Sequence, residues 1–422
     1  MARRQQSLHP GSCGDFGEFT EKCYVTGDDR KMRRHIILPA PNRGADSFEL
    51  LQSVLNGGDL LLELPRGLFS VSRTLRIFSH TTIRATENTV IRRMDHTAVD
   101  VHDCLIANAD EYDSGNECIE LEGGVWDGNN PANPRGKNAL DAENSYSGVA
   151  LRFNRVRNLT IRDLTVARAE SYFIRMCNIT DFRILNVKFF SSCFRPNQDG
   201  VHLNGNCYHG RIKGLYGISP YTPGDDMIAL NAHDGAAEND HFGRGERNVP
   251  SVNYGIDLGP IEDIVIEDVF ADSVYGFFRI LTKDHPVRNI RAKNIRGGCR
   301  FLLLNANAFG DASPGSGLIE NVEFSDIRVC KVPESSSSPR INGYPLWGLQ
   351  LKMKNVVIRD YVRPPLDMGC GTDSVTLHPA AGAITAFEPD PGNKQKLFTD
   401  EENIIHLPDG GFRCLKIDNV SE

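Results

Sequence analysis

Three aspartates in two short blocks are the residues of this chain best suited to acid/base chemistry. The first block, residues 199–204, reads D-G-V-H-L-N, and the second, residues 225–231, reads D-D-M-I-A-L-N. Asp199 and Asp225 are 26 residues apart. If the chain winds in coils of about that length, the blocks stack at the roughly 4.8 Å spacing of parallel strands. Asp199, Asp225 and Asp226 would then form one cluster and supply the carboxylates that hydrolysis of a sugar bond requires.

A repeated pattern along the chain supports such coils. It has the form apolar–x–Asn/Asp–apolar–x–apolar–x–Asn/Asp–apolar, with copies that start at Val156, Ile179, Ile261, Val287, Ile319 and Met353, and a weaker copy at Cys207. Repeats of this length are typical of solenoids. Apolar residues at every second position, bounded by Asn, Asp and Gly, favour strands over helices. A leucine-rich repeat is excluded because no Leu-x-x-Leu-x-Leu frame is present. The sequence therefore predicts an all-β fold, a right-handed parallel β-helix.

The regularity of the pattern divides the chain into three parts. We predict an N-terminal extension over 1–44, a catalytic β-helix over 45–365, and a C-terminal segment over 366–422 that packs on or caps the β-helix. Residues 46–55 predict a short amphipathic helix that starts with an acidic residue and ends at Gly57-Gly58. Such a helix would cap the open end of the solenoid and cover strand edges that could otherwise pair with another chain.

The composition bears on the binding partner and on the cellular compartment. The net charge of −8 argues against nucleic acid, whose binding depends on Lys and Arg. No apolar run resembles a signal peptide or a membrane span, so we expect a cytoplasmic protein, or a secreted one if its signal lies outside this sequence. The 11 cysteines show no Cys-x-x-Cys spacing and indicate a reducing compartment, and Cys177, Cys193 and Cys207 are predicted to be small buried side chains. No metal or other cofactor is predicted, and the oligomeric state is left open.

The acidic blocks carry a resemblance to a known family. Asn197-Gln198-Asp199 matches the Asn-x-Asp block of the polygalacturonases, glycoside hydrolase family 28, and Gly224-Asp225-Asp226 matches their Gly-Asp-Asp block. Residues 278–281 fall where that family has its Arg-Ile-Lys motif, and the resemblance covers roughly residues 40–365. Two departures bear on substrate. Tyr254 stands in place of the family histidine, and Leu281 stands in place of the lysine that binds a galacturonate carboxylate.

The resemblance implies an inverting O-glycosyl hydrolase of a plant-type, pectic or related carbohydrate. Asp225 would be the general acid, while Asp199 with Asp226 would position and deprotonate the attacking water. Substrate contacts are predicted for four further residues: Asn197, Arg279, Tyr254 and His202. Adjacent strand residues face opposite sides of a sheet, so both aspartates of the second block reach one site only through a bend, which Gly224 permits.

Two polar insertions and two alternative functions complete the prediction. Residues 127–147 and 232–252 are long loops rich in Asn, Gly and charge, and we expect them to close one end of the binding region, giving an exo-acting enzyme. A polysaccharide lyase on the same fold is the first alternative, because three Asp and Arg279 could serve calcium-assisted proton abstraction. A non-catalytic, glycan-binding β-helix is the second.

Overall fold

A computed structural model describes residues 20–25, 32–135, 146–193, 195–232, 257–282, 284–307, 317–333, 346–348, 352–362, 374–376, 384–390, 398–399, 404–406 and 411–418. Short strands form its N-terminal coils: β1 (Thr20–Val25), β2 (Met32–Ile37), β3 (Leu60–Leu64), β4 (Gly67–Val71), β5 (Leu75–Ile77), β6 (Thr81–Ala85), β7 (Thr89–Arg93), β8 (Ile106–Asn108), β9 (Asn116–Glu122) and β10 (Val125–Asp127).

Longer strands, some of which bend at corners, follow in the central coils: β11 (Leu151–Ala167), β12 (Ile174–Phe190), β13 (Val201–Leu203), β14 (Cys207–Gly217), β15 (Asp226–Asn231), β16 (Ile261–Leu281), β17 (Val287–Asn307) and β18 (Leu318–Lys331). The C-terminal strands are β19 (Leu346–Gly348), β20 (Lys352–Val362), β21 (Ser374–Thr376), β22 (Ile384–Pro389), β23 (Phe398–Thr399), β24 (Ile404–His406) and β25 (Gly411–Ile417). No described helix is long and apolar enough to cross a membrane.

Parallel pairing of each coil with the next confirms the predicted right-handed parallel β-helix. From β2 to β20, every pair of neighbouring strands that the structure describes runs parallel, and the pairing β2–β3 begins the stack before residue 45. In the central coils Leu151, Ile174, Val201, Ile228 and Phe278 align in register and point into one continuous apolar core. At the C-terminal end β25 pairs antiparallel with β20.

The predicted capping helix is confirmed as α1 (Phe48–Leu55). Its apolar face, Phe48, Leu51, Val54 and Leu55, is buried against the first coils. Two residues before the helix begins, Asp46 Oδ1 accepts a hydrogen bond of 2.9 Å from the backbone N–H of Phe48. The helix thus covers apolar surface at the N-terminal end of the solenoid, as the sequence pattern predicts.

The Asn and Asp positions of the repeat form the corners of the coils. They adopt left-handed backbone conformations with φ between 50° and 62°, as seen at Asn158, Asp163, Asp181, Asn186, Asp263, Asp268, Asn289, Asn294, Asn321, Asp326, Asn355 and Asp360. Asn and Asp tolerate this region better than other non-glycine residues. Their side chains also bond from coil to coil: Asn355 Nδ2 donates to Asn321 Oδ1 at 2.9 Å, and Asn321 Nδ2 to Asn289 Oδ1 at 3.3 Å.

Two of the three cysteines predicted to be buried are buried in strands, and the third is not. Cys177 and Cys207 are buried, as predicted. The prediction for Cys193 is wrong, because this residue lies just after β12, in the turn that leads to the first acidic block, and is exposed there. The cysteines whose side chains the structure describes are free thiols: Cys104, Cys118, Cys177, Cys193, Cys207, Cys299, Cys330 and Cys414.

A pair of substitutions at one corner separates the two roles of these asparagines. We expect Asn321→Gly to keep the left-handed corner and lose only its coil-to-coil hydrogen bonds, lowering stability by about 1 kcal/mol. Asn321→Val also forces a β-branched residue to positive φ, and we expect roughly 1–2 kcal/mol more destabilisation. Urea unfolding followed by circular dichroism measures both. Equal stability of the two variants would contradict this account of the corners.

Candidate active site

The structure brings the three predicted carboxylates together. Asp199 lies just before β13, Asp225 lies in the bend before β15, and Asp226 is the first residue of β15. One carboxylate oxygen of each lies within 4.8 Å of the others. Asp199 and Asp226 are buried, whereas Asp225 is half-buried. The two blocks stack because β13 and β15 pair in parallel, with Val201 opposite Ile228.

Backbone contacts between the two coils hold the bend that precedes β15. The N–H of Asp225 donates to the carbonyl of Gln198 at 3.2 Å, and the N–H of Gly200 donates to the carbonyl of Asp226 at 2.9 Å. The N–H of Asn197 donates to Asp225 Oδ2 at 2.8 Å. Asn197 therefore contacts a carboxylate through its main chain. A role for its side chain in binding substrate stays a prediction.

His202 supports Asp199 from the following strand. Its Nδ1 lies 2.6 Å from Asp199 Oδ2, and its Nε2 lies 3.2 Å from Asn204 Nδ2 and 3.3 Å from Asn231 Nδ2. Amide nitrogens only donate, so Nε2 is the acceptor in both contacts. Nδ1 therefore carries the ring N–H, which donates a hydrogen bond to Asp199 Oδ2. The Tyr172 ring stacks on the imidazole at a centroid distance of 3.9 Å. His202 is only 3% exposed, so we assign it to holding Asp199, and its contact with substrate stays a prediction.

Arg279 lies next to the cluster on β16. Its register partner on β15 is Ala229, whose own partner on β13 is His202, so the three form one row across neighbouring coils. Arg279 is half-buried, and its charge acts on both Asp225 and Asp226. Leu281, at the position of the family lysine, is 6% exposed and pairs with Asn231. Tyr254 lies outside the described residues.

Burial makes the cluster retain protons. Desolvation raises the pKa of Asp225, against the lowering effects of the Asn197 N–H and of the charges on Arg279 and Arg300. The pKa of Asp226 is raised well above its usual value by desolvation, and then by the charges of Asp225 and Asp199. Like charges this close resist full ionisation, so the site holds a proton that a carboxylic acid can deliver.

Sequence reasoning missed three residues that shape the site. Gly276 is the register partner of Asp226, and a Cβ there would meet Asp226 Oδ1 at 2.4 Å. A glycine inside an apolar strand is a signal of such a close approach. Tyr275 lies near the acids, and burial followed by the charges of Asp225 and Asp226 raises its pKa to about 12. Arg300 is the third, and only its contacts in the folded chain reveal it.

Oxygen ligands of this kind could also hold a hard cation. The Asp199, Asp225 and Asp226 oxygens are close enough to share one ion, and carboxylates are ligands that calcium prefers. The same three carboxylates can serve either a cation or acid/base chemistry. The calcium-chelation test given below distinguishes the two uses.

No protein-family model matches the chain, and no curated protein matches it in sequence. Three of the solved structures that it resembles are the following. An exopolygalacturonase from Thermotoga maritima is 14% identical with a TM-score of 0.43, over 89% of this chain and 96% of that one. A ι-carrageenase bound to ι-carrageenan fragments is 9% identical with a TM-score of 0.49, over 80% and 86%. The surface adhesin PfbA of Streptococcus pneumoniae is 14% identical with a TM-score of 0.42, over 78% and 83%. At such values we argue function from the site alone.

The space beside Gly276 yields the first test of the site. We expect Gly276→Ala to displace the Asp226 carboxylate, because the added methyl group would lie 2.4 Å from Oδ1. A shift of about 1 Å at a reacting group costs on the order of 100-fold in rate. Turnover of a substrate found by screening, measured beside the thermal midpoint of each protein, checks this. Wild-type turnover in a folded Gly276→Ala protein would contradict the placement of Asp226.

The raised pKa of Asp226 predicts how stability depends on pH. Between the unfolded value of about 3.9 and the raised folded value, the folded protein binds more protons, so its stability falls as pH rises. Asp226→Asn removes this titration. We expect the variant to gain stability relative to wild type as pH rises through this window. Unfolding midpoints between acid and neutral pH measure it. A pH-independent difference would contradict the raised pKa.

Proposed function

We propose that this protein is a glycoside hydrolase. The observation that carries the proposal is the group of three carboxylates on two stacked coils, within 4.8 Å of one another and with raised pKa values at Asp225 and Asp226. Glycoside hydrolysis needs one carboxylic acid to protonate the leaving oxygen and one carboxylate to activate water or attack the sugar. A cluster that keeps one proton next to an ionised carboxylate supplies both groups.

The surroundings of the three carboxylates support a separate role for each. Asp225 is the most exposed of the three and is best placed to pass its proton to the glycosidic oxygen as the carbon–oxygen bond breaks. Asp199, oriented by His202, takes the proton of the water whose oxygen bonds to the anomeric carbon. Asp226, the first residue of β15, positions that water, and burial keeps the proton affinity of Asp225 high. Arg279 binds a substrate oxygen.

Inversion of the anomeric centre is part of the proposal. Inverting enzymes usually place their two carboxyl groups roughly 6.5–9.5 Å apart, and retaining enzymes roughly 5–5.5 Å apart. The oxygens here are closer than the first range, within 4.8 Å. We nevertheless propose inversion, because Asp199 is bound by His202 and buried, and is therefore suited to accept a proton from water and poorly placed to attack a sugar carbon. Proton NMR of the first product anomer decides between the two outcomes.

The substrate class follows from the family resemblance and from Leu281. The Asn-x-Asp and Gly-Asp-Asp blocks support a plant-type, pectic or related carbohydrate. Leu281 is buried where the family lysine would bind a carboxylate, which supports a neutral or decorated sugar over plain galacturonate. We place the protein among enzymes of carbohydrate metabolism that degrade cell-wall polysaccharides.

Exo action is supported by one of the two insertions. Its described part packs beside the first acidic block: Arg135 Nη2 donates to the carbonyl of Pro196 at 2.7 Å, and Asn130 Nδ2 donates to the carbonyl of Cys193 at 3.1 Å. Arg135 and Arg195 both contact the buried Glu170. The anchoring of this loop next to Asn197 supports closure of one end of the site, from which a terminal unit would be released. The other insertion, from 233 onward, lies outside the described residues.

Activity on a defined panel tests the proposal. Wild type, Asp225→Asn and the matched corner variant Asp263→Asn are incubated with pectic and neutral plant oligosaccharides, and products are followed by mass spectrometry. We expect products that have gained one water, made by wild type and Asp263→Asn and reduced on the order of 10²–10⁴-fold in Asp225→Asn. Terminal units should appear before the viscosity of a polymer substrate falls.

The same measurement identifies the alternatives. Unsaturated products that absorb ultraviolet light, lost on chelation of calcium, would move the assignment to a polysaccharide lyase, for which the acidic cluster and Arg279 would serve. Binding of a glycan without any product would make the protein a glycan-binding β-helix. Either result would contradict the hydrolase.

A further inference from the structure

Arg300 is a buried arginine that contacts the bend carrying Asp225. It lies on β17, two coils beyond the Gly224-Asp225-Asp226 bend, and is 3% exposed. Its Nη2 donates to the carbonyl of Gly224 at 2.7 Å, and its Nε donates to the carbonyl of Ser273 on β16 at 3.1 Å. One guanidinium therefore joins the residue immediately before Asp225 to the coil above it.

The Gly224 carbonyl needs such a partner. β15 begins only at Asp226, so Gly224 and Asp225 lie outside the parallel ladder. Buried backbone carbonyls are almost always paired, and here the partner is a side chain. On the opposite side, Asn197 and Gln198 hold Asp225 through its Oδ2 and its N–H. The bend is thus held between the first acidic block on one side and Arg300 on the other.

Arg300 is itself fixed from several directions. Its guanidinium carbon lies 5.5 Å from the centre of the Tyr221 ring and 5.7 Å from that of Tyr275. Lys331, a buried lysine on the next coil, donates from Nζ to the carbonyl of Arg300 at 2.9 Å. The planar fork of arginine reaches two carbonyls in one fixed geometry, which the single ammonium of lysine does not reproduce. These contacts leave the Arg300 side chain little freedom to move.

We propose that Arg300 is a positioning residue for the general acid, holding Asp225 at the distance and angle from which it reaches the glycosidic oxygen. The inference rests on the proposed hydrolase function for its catalytic part. Its charge has a second effect, since it is one of the influences that lower the pKa of Asp225 against burial. Arg300 thereby holds the acid in place and contributes to the pH at which the acid releases its proton.

Two variants of Arg300 separate position from charge. Arg300→Lys keeps the charge and loses the fork, whereas Arg300→Met loses both. Arg296→Met is the matched control, since Arg296 lies on the same strand and binds Asp326 and backbone carbonyls away from the acids. We expect both Arg300 variants to lose roughly 10–100-fold in kcat with little change in KM, by displacement of the acid. Arg296→Met should keep wild-type kcat.

The pH profile gives the readout that a merely structural residue would not move. Removing a nearby positive charge raises the pKa of Asp225, so the basic limb of kcat/KM should shift to higher pH in Arg300→Met. It should stay near its wild-type position in Arg300→Lys. Wild-type kcat and pH profile in a folded Arg300→Met protein would overturn the inference. The inference would also be overturned if kcat in both variants fell only in proportion to the fraction of folded protein and the basic limb of kcat/KM did not move.

Hydrogen exchange makes the result independent of the proposed function. The peptide over residues 222–227 should exchange faster in both Arg300 variants and at the wild-type rate in Arg296→Met. If wild type makes no product from any glycan, the hydrolase proposal fails, and unchanged exchange would then also overturn the positioning of the bend by Arg300. If wild type makes no product but the 222–227 peptide exchanges faster in the Arg300 variants, Arg300 positions the bend as a structural residue only. If wild type makes product and Arg300→Met keeps both the wild-type kcat and the wild-type exchange rate, only the Arg300 inference is contradicted.

Discussion

Parallel hydrogen bonding between successive coils is the constraint on which the rest of this structure depends. Because the strands stack in register, a residue on one coil lies directly over a residue of the next, and positions about one coil apart in sequence become neighbours in space. The register needs tight corners, and Asn and Asp provide them by accepting left-handed conformations and by bonding to one another along the solenoid. The same stacking that builds the core therefore also collects Asp199, Asp225 and Asp226.

The acidic cluster has an electrostatic cost that its surroundings offset only in part. Burial raises the pKa of Asp226, and the neighbouring aspartates raise it further. Four groups lower the pKa of Asp225: the Asn197 N–H, Arg279, Arg300 and His202. Such opposed influences are typical of functional sites, where stability is given up to keep a proton available. A purely structural β-helix gains nothing from three close carboxylates, whereas a hydrolase depends on them.

Much of the fold could be predicted from local pattern. The alternation of apolar residues, the Asn and Asp at the corners, and the acidic start of α1 are all short-range signals, and the structure confirms each of them. The closeness of Asp199 to the pair at 225–226 was predictable because their separation is about one coil. These features need no knowledge of long-range contacts.

Other parts of the site depend on contacts that sequence distance conceals. Arg300 lies 76 residues from Gly224, with the polar insertion from residue 232 between them, and nothing near Arg300 in sequence resembles a motif. The support of Asp199 by His202 depends on amides from two different strands, Asn204 and Asn231. Gly276 was the one missed residue that carried a signal, since a glycine within an apolar strand indicates a close approach. Insertions of variable length break the regular spacing and hide such partners.

The central claim, that the cluster hydrolyses a glycosidic bond, is tested most directly by isotope incorporation. A cleaved oligosaccharide substrate, found by screening, is digested in water enriched in oxygen-18, and the products are examined by mass spectrometry. Hydrolysis predicts one heavy oxygen at the new reducing end of the glycosyl fragment and none gained by the leaving fragment, when products are read before reducing ends exchange oxygen with water. Wild type should make the labelled fragment, and Asp225→Asn should lose it. Unsaturated products without heavy oxygen, or label incorporation that is unchanged in Asp225→Asn, would contradict the account.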